Sequence, residues 1–208
     1  MTMTERTRAS RTLLRGSTWI SGFAFLRSWW RAPAAVGLPL TSSPWTARRL
    51  AKAVLEAGRS DGPIVELGAG TGAVTGALLA LGCLPQDVVV VERDAELCRV
   101  LKKRFHGLQV LHGDALHLGG LLRDVGIASV RAVLSGLPMR AIPAELAARC
   151  YAQAFELMPD GGAIIQYTYG LRAPVDPTAS EHRFKASFVG REWRNFPPMG
   201  IWKYRPLQ

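Results

Sequence analysis

Residues 64–72 read Ile-Val-Glu-Leu-Gly-Ala-Gly-Thr-Gly. An apolar run reaches Glu66 and then opens into three alternating glycines, Gly68, Gly70 and Gly72, ahead of a helix-forming stretch. Glycine lets the backbone turn tightly and approach a ligand with no Cβ in the way. A helix that starts there presents free N–H groups at its first turn. Such a strand–loop–helix belongs to a parallel sheet, whose ligands sit at the carboxyl ends of the strands. The rest of the chain keeps the alternation. Strands are expected at 63–67, 87–91, 108–112, 130–134 and 163–168, and helices at 44–57, 72–81, 94–104 and 143–157. Ser43 before Pro44 suits an N-cap followed by proline in the first turn. Two later strands, about 186–194 and 199–204, flank Asn195-Phe196-Pro197-Pro198 and suit an antiparallel edge. The expected class is α/β: a doubly wound, seven-stranded, mostly parallel sheet, Rossmann-like, over residues 41–208.

Spacing alone leaves two ligands open at the glycine loop. Gly68, Gly70 and Ala73 also satisfy G-x-G-x-x-A, the dinucleotide fingerprint. Glu66 argues against it, because a carboxylate there repels a pyrophosphate and suits a cation. S-adenosylmethionine carries an ammonium and a sulfonium and no phosphate, so it is the expected cofactor, with S-adenosylhomocysteine as product. The second strand ends in Glu92, at the spacing of a carboxylate that accepts from ribose hydroxyls. The third is followed by Gly113-Asp114-Ala115, where Asp114 can accept the adenine amine. Asp is common in turns, and acids favour helix starts, so each residue alone is weak. Three acids at the ends of three successive strands form a constellation that a bland fold does not need.

The charge is uneven. The net value is +10, yet residues 1–59 hold ten Arg and Lys against two acids, while the remainder is nearly balanced. A basic segment suits a polyanion. Within residues 1–40, Trp19, Phe23, Leu26 and Trp30 fall on one face of an expected amphipathic helix, with Trp29 and the cations Arg15, Arg27 and Arg31 beside it. Pro33 limits that helix. Tryptophan mixed with arginine is the composition of a helix lying in the head-group plane, so these eight residues are the expected membrane contacts. Docking of that face on the domain is the other reading. No apolar run is long enough for a transmembrane helix, and no cleavage site follows the apolar stretch. Cys83, Cys98 and Cys150 are far apart, and the four histidines lack ligand spacing, so no disulfide framework and no metal site is expected. The expected setting is cytoplasmic.

The segments Val-Glu-Leu-Gly-Ala-Gly-Thr-Gly, Val-Val-Val-Val-Glu and His-Gly-Asp-Ala resemble the class I S-adenosylmethionine-dependent methyltransferases. Ser-Gly-Leu-Pro at 135–138, Gln-Tyr-Thr-Tyr-Gly at 166–170 and Asn-Phe-Pro-Pro-Met-Gly-Ile-Trp-Lys-Tyr at 195–204 narrow the likeness to bacterial phospholipid N-methyltransferases. The resemblance implies methyl transfer to the amine of phosphatidylethanolamine and its mono- and dimethylated forms, at the inner leaflet of the cytoplasmic membrane. It implies cofactor contacts from Glu66, Gly68, Ala69, Gly70, Gly72, Glu92, Arg93, Asp114, Ala115 and Ser135. It places Ser135, Gly136, Leu137 and Pro138 at the transfer point and Tyr169 in the head-group pocket. The competing resemblance is to ribosomal RNA adenine dimethyltransferases, which share the glycine loop and the acids. There an Asn-Leu-Pro-Tyr type motif follows the fourth strand. Here Ser135 replaces the Asn, and Met139 follows the proline in place of an aromatic that could stack on a flipped base. No nucleic-acid partner is therefore expected. A non-catalytic lipid- or nucleotide-binding module on the same fold is the third reading. Tyr167 and Tyr169 share one strand face, where aromatic rings could hold a methylated ammonium, although core packing is the plainer role for Tyr167.

Overall fold

The apolar runs Ile64–Leu67, Val88–Glu92, Ala132–Ser135 and Ala163–Thr168 carry no polar alternation, because each is covered on both faces. The computed structural model describes residues 43–58, 61–178, 184–195 and 197–207. Seven strands form one sheet: β1 (Ile64–Leu67), β2 (Val88–Glu92), β3 (Gln109–His112), β4 (Ala132–Ser135), β5 (Ala163–Thr168), β6 (Phe184–Glu192) and β7 (Met199–Pro206). Their spatial order is β3-β2-β1-β4-β5-β7-β6. The first five run parallel, and β7 pairs antiparallel with both β5 and β6. This is the expected doubly wound, mostly parallel sheet with an antiparallel edge.

Among the described residues five α-helices accompany it: α1 (Pro44–Leu55), α2 (Ala73–Ala80), α3 (Ala95–Arg104), α4 (Leu118–Arg123) and α5 (Ala144–Glu156). Leu50 and Val54 of α1, Leu78 of α2 and Leu101 of α3 pack with Ile64, Val90, Leu134 and Ile165 in one core on one face of the sheet. On the other face Tyr151 of α5 reaches Gln166 of β5. Ser43 caps α1 as expected, its hydroxyl accepting from the Thr46 N–H at 3.2 Å. Asp94 caps α3 by accepting from the Glu96 and Leu97 N–H groups.

Two details differ from the sequence pattern. The helix α4 is absent from it, because Gly119 and Gly120 sit inside the helix and weaken its signal. Burial of Leu118 and Leu122 supplies what propensity lacks. The strand expected at 186–194 instead spans Phe184–Glu192. It stops early because the Glu192 carboxylate accepts from the Arg194 N–H at 2.9 Å and turns the chain. The proposed boundary between residues 40 and 41, and the whole set Arg15, Trp19, Phe23, Leu26, Arg27, Trp29, Trp30 and Arg31, lie outside the described residues.

The outer part of the sheet depends on Tyr204. Its ring stands edge-on to Tyr151 at 4.9 Å and beside Phe184 at 5.9 Å. Its hydroxyl accepts from the Val175 N–H at 3.0 Å and donates to the Val175 carbonyl at 3.2 Å. Tyr204→Phe leaves the packing and strands two polar groups of buried Val175. The expected loss is ~1–3 kcal/mol of stability. Urea unfolding followed by circular dichroism measures it, and an unchanged midpoint refutes the role.

Candidate active site at the carboxyl edge of the sheet

The parallel register sets β1, β2, β4 and β5 level, pairing Leu67 with Val91 and Ser135, and Ser135 with Gln166. The ladder continues into the loops beyond. The Gly68 N–H donates to the Val91 carbonyl at 2.9 Å, Gly136 to Leu67 at 2.8 Å, and Gly113 to Glu92 at 3.0 Å. The glycine loop, the Ser135–Pro138 loop and the Asp114 turn therefore open at the same edge.

Within the glycine loop, Gly72 has φ +81, and a Cβ there would stand 2.5 Å from the Phe105 ring. No other residue fits both constraints. A Cβ at Gly70 would meet nothing within 4 Å, so this backbone is the open part of the loop. Ala69, between Gly68 and Gly70, packs against the core. A Cβ at Gly136 would lie 2.7 Å from the Gly68 carbonyl oxygen and 3.2 Å from the Tyr167 hydroxyl. The two loops and the tyrosine thus meet at van der Waals distance.

The three acids have different surroundings. Glu66 is buried on the α2 side, and its carboxylate accepts from the Thr75 hydroxyl at 2.6 Å. Burial raises its pKa to about 7, opposed by the Thr75 hydrogen bond and reinforced by the nearby Glu92 charge. Glu92 is also raised by burial, and three backbone donors oppose that shift. One of its oxygens accepts from the Arg93 and Asp94 N–H groups, and the other from Gly70 at 3.1 Å. A carboxylate has about four acceptor positions, so capacity for a ligand hydroxyl remains. Asp114 is half-buried, caps the turn Ala115–His117 through the Leu116 N–H at 3.0 Å, and faces Arg93 at 3.6 Å. Ala115 is buried beneath it. Glu92 and Asp114 thus stand at the shared edge, whereas Glu66 lies beneath the glycine loop, fastened to α2.

On the β4–β5 side, Ser135 is buried and its hydroxyl accepts from the Leu137 N–H at 3.4 Å. The sequence pattern assigned no role to the network that holds this loop. The Tyr151 hydroxyl donates to Gln166 Oε1 at 2.7 Å, and Gln166 Nε2 donates to the carbonyls of Leu137 at 3.0 Å and Tyr167 at 2.8 Å. Gln166 is fully buried, so the amide is held by its own partners and fixes the loop in turn. Pro138 follows at half-exposure. Tyr167 packs against the core and also brings its hydroxyl to Gly136. Tyr169 lies just past β5, half-buried, hydrogen-bonded to the Asn195 side chain, and burial pushes its phenol up. It is therefore a neutral hydroxyl at physiological pH and no phenolate base. Asn195, which the sequence marked only through its motif, also accepts from the Ser43 N–H and the Thr46 hydroxyl, each at 3.3 Å. It ties the β6–β7 turn to the start of α1 beside Tyr169.

The donor set fits a cationic nucleoside better than a dinucleotide. Acids stand at three strand ends, and the glycine loop lies over a buried carboxyl that a nearby cation would return to its charged form. No group of three or more potential metal ligands occurs among the described residues.

Comparison with known proteins agrees with this geometry. Residues 41–120 match the family model described as ribosomal RNA adenine dimethylase. An ornithine lipid N-methyltransferase of Singulisphaera acidiphila is 31% identical over 192 residues, 89% of this chain and 96% of that one. A ribosomal RNA small subunit methyltransferase A of a Synechococcus species is 45% identical over 67 residues, 31% of this chain and 23% of that one. Among solved structures, the O-methyltransferase of Bacillus cereus in complex with S-adenosylhomocysteine has a TM-score of 0.61 at 16% identity, covering 88% of this chain and 91% of that one. Magnesium protoporphyrin IX methyltransferase of Synechocystis with bound S-adenosylmethionine scores 0.56 at 15% identity, covering 79% of each chain.

Two outcomes follow from the acids. The raised pKa means that folded Glu66 holds its proton more tightly than the unfolded chain does. Its contribution is full below about pH 4.5 and is lost as pH rises through about 7. Glu66→Gln should match the parent in urea at about pH 5 and exceed it by on the order of 2–3 kcal/mol at about pH 8.5. Equal midpoints at both values refute a buried neutral carboxyl. Glu92→Ala frees the Gly70 N–H and removes the acceptor offered to a ribose. Affinity for S-adenosylhomocysteine should fall about ten- to hundredfold, the equivalent of ~1.5–3 kcal/mol for hydrogen bonds to a charged group. Calorimetric titration reads it, and an unchanged affinity removes the assignment.

Proposed function

The chain belongs to the class I S-adenosylmethionine-dependent methyltransferases, and from that premise we propose that it methylates the amine of a membrane lipid, with phosphatidylethanolamine and its mono- and dimethylated forms as substrates. The supporting observation is the extent of likeness. The lipid N-methyltransferase aligns over 192 residues, 89% of this chain and 96% of its own length. Two ribosomal RNA methyltransferase relatives align over 36% and 23% of their lengths, and the matching family model stops at residue 120, before the Ser135–Pro138 loop and the Tyr169 region. In this reading most cofactor contacts come from residues up to 120, with Ser135 beyond them, and the residues after 120 distinguish substrates.

Bound at the glycine loop, Glu92 and Asp114, S-adenosylmethionine supplies an electrophilic methyl group. The chain's own residues must present a neutral amine in line with it. An amine buried beside a cation loses its proton more readily. The carbonyls of Leu137 and Tyr167 each accept one hydrogen bond from Gln166 and keep a second lone pair. The Tyr169 hydroxyl stays neutral and can accept from the amine. As methyl groups replace hydrogens, donors disappear, and the face of Tyr169 takes over by cation–π attraction, ~0.5–2 kcal/mol. Among the described residues no nucleophile–base pair is needed, and positioning supplies the rate effect.

The enzyme works at the inner leaflet of the cytoplasmic membrane in this reading, with residues 1–31 as an anchor. That segment carries six arginines against Glu5 and three tryptophans. Each basic residue near an anionic surface contributes ~1 kcal/mol. Incubation with a labelled methyl donor and separate tubes of phosphatidylethanolamine, ornithine lipid and ribosomal RNA tests the substrate. Label in phosphatidylethanolamine and its methylated products is the expected result. Label in ornithine lipid alone moves the assignment to that amine, and label in RNA alone overturns the lipid reading. Deletion of residues 1–31 should lower sedimentation with phosphatidylglycerol vesicles and leave S-adenosylhomocysteine affinity unchanged.

A further inference from the structure

The three most exposed large apolar side chains among the described residues are Leu171, Trp193 and Trp45, at 76%, 73% and 59% exposure. They lie far apart in sequence and close to one edge of the sheet. Leu171 follows the carboxyl end of β5, three residues beyond Thr168, which pairs with Gly200 of β7. Since β7 runs antiparallel to β5, the β6–β7 turn holding Trp193 comes to that same end. Asn195 in this turn bonds to Ser43 and Thr46, which brings Trp45 at the start of α1 there too. This is the edge that carries Tyr169 and the Ser135–Pro138 loop.

The charges around these side chains have one sign. Segments 43–49, 168–173 and 190–195 contain five arginines and a single acid, Glu192. Glu192 is paired with Arg49 at 3.4 Å. The Arg194 guanidinium lies over the Trp45 ring at 4.8 Å, and that of Arg191 over Trp193 at 5.7 Å. A guanidinium stacked on indole keeps its charge and its N–H donors, and it is weakly hydrated. Exposed indoles with arginines on their faces match the interfacial layer of a bilayer, where indoles sit at head-group level and cations meet lipid phosphates. A soluble surface would not expose such residues together without a partner.

We propose that this edge, centred on Trp45, Leu171 and Trp193 with Arg191 and Arg194, is a second membrane-docking surface carried by the catalytic domain itself, and that its partner is an anionic lipid bilayer. The proposal rests on the lipid reading for its purpose and on exposure and charge for its existence. Its consequence is geometric. A bilayer against this edge faces the substrate loops directly, so a lipid amine reaches Tyr169 by rising a short way from the head-group plane. Residues 1–31 would hold the enzyme on the membrane, and this edge would set its orientation.

The test uses the full-length chain with Trp45→Ser, Leu171→Ser and Trp193→Ser combined, and separately Arg191→Glu with Arg194→Glu. Trp45, Leu171, Trp193 and Arg194 are exposed and Arg191 is partly exposed; unchanged S-adenosylhomocysteine affinity and urea midpoint certify the fold. Vesicles contain phosphatidylglycerol and phosphatidylethanolamine, some with brominated acyl chains. Both variants should lose at least about tenfold in vesicle partition at moderate salt. Bromine should quench parent fluorescence more strongly than that of Trp193→Phe. Parental vesicle binding in both variants, with equal quenching, overturns the proposal. So does a change of oligomeric state without lipid and with vesicle binding intact, which would mark an interface between copies, or loss of RNA binding alone. A parent that docks through this edge and transfers no methyl to any lipid sustains the surface and removes the lipid-amine reading.

Discussion

Everything at the candidate site depends on the hydrogen bonds that carry the parallel ladder past the ends of the strands. Gly68 donates to Val91, and Gly136 donates to Leu67. These bonds press two loops together so closely that Gly136 has room for no side chain beside the Gly68 carbonyl. A parallel sheet alone would align strand ends. The added contact brings the glycine loop and the Ser135–Pro138 loop into van der Waals contact at the carboxyl edge.

Around that contact the molecule keeps polar groups buried and satisfies them in pairs. Glu66 has Thr75, Gln166 has Tyr151 on one side and two carbonyls on the other, and Asn195 joins three elements. Inside a low-dielectric core such groups are costly when unpaired and rigid when paired. The Glu66 carboxyl stands apart because its hydroxyl partner does not offset burial, and its pKa near 7 makes the apo site sensitive to charge. The functional edge is therefore built on a scaffold whose polar contacts point inward and whose exposed face is aromatic and cationic.

Much of the fold was legible along the chain. The four runs buried on both faces stand out as unbroken apolar stretches, and the glycine loop follows the first of them. The helix α4 was not legible, since two glycines mask a segment held by tertiary burial of Leu118 and Leu122. In the candidate site, the placement of Glu92 and Asp114 at the carboxyl edge of the sheet was legible, because an acid at a strand end needs only local spacing to be located. Gln166, Tyr151 and Asn195 were not. Their partners are 15, 29 and about 150 residues away, so no local pattern announces them. Tyr167 shows both readings at once, core ring and edge hydroxyl, which alternation along a strand cannot separate.

By itself the chain determined the alternation of the strands with every helix but α4, the glycine loop and the acids that follow, because periodicity and backbone freedom are local properties. Only the tertiary structure decided what each of those acids bonds to. Glu66 and Glu92 each lie at the end of an apolar strand, yet α2 places Thr75 over the first, while the second bonds the glycine loop and stays at the edge. It likewise decided that Trp45, Leu171 and Trp193 share one side of the molecule. The physical reason is the reversal of β7 against β5, a long-range pairing that folds the chain's last quarter back over the carboxyl end of the sheet and brings α1's first turn to meet it.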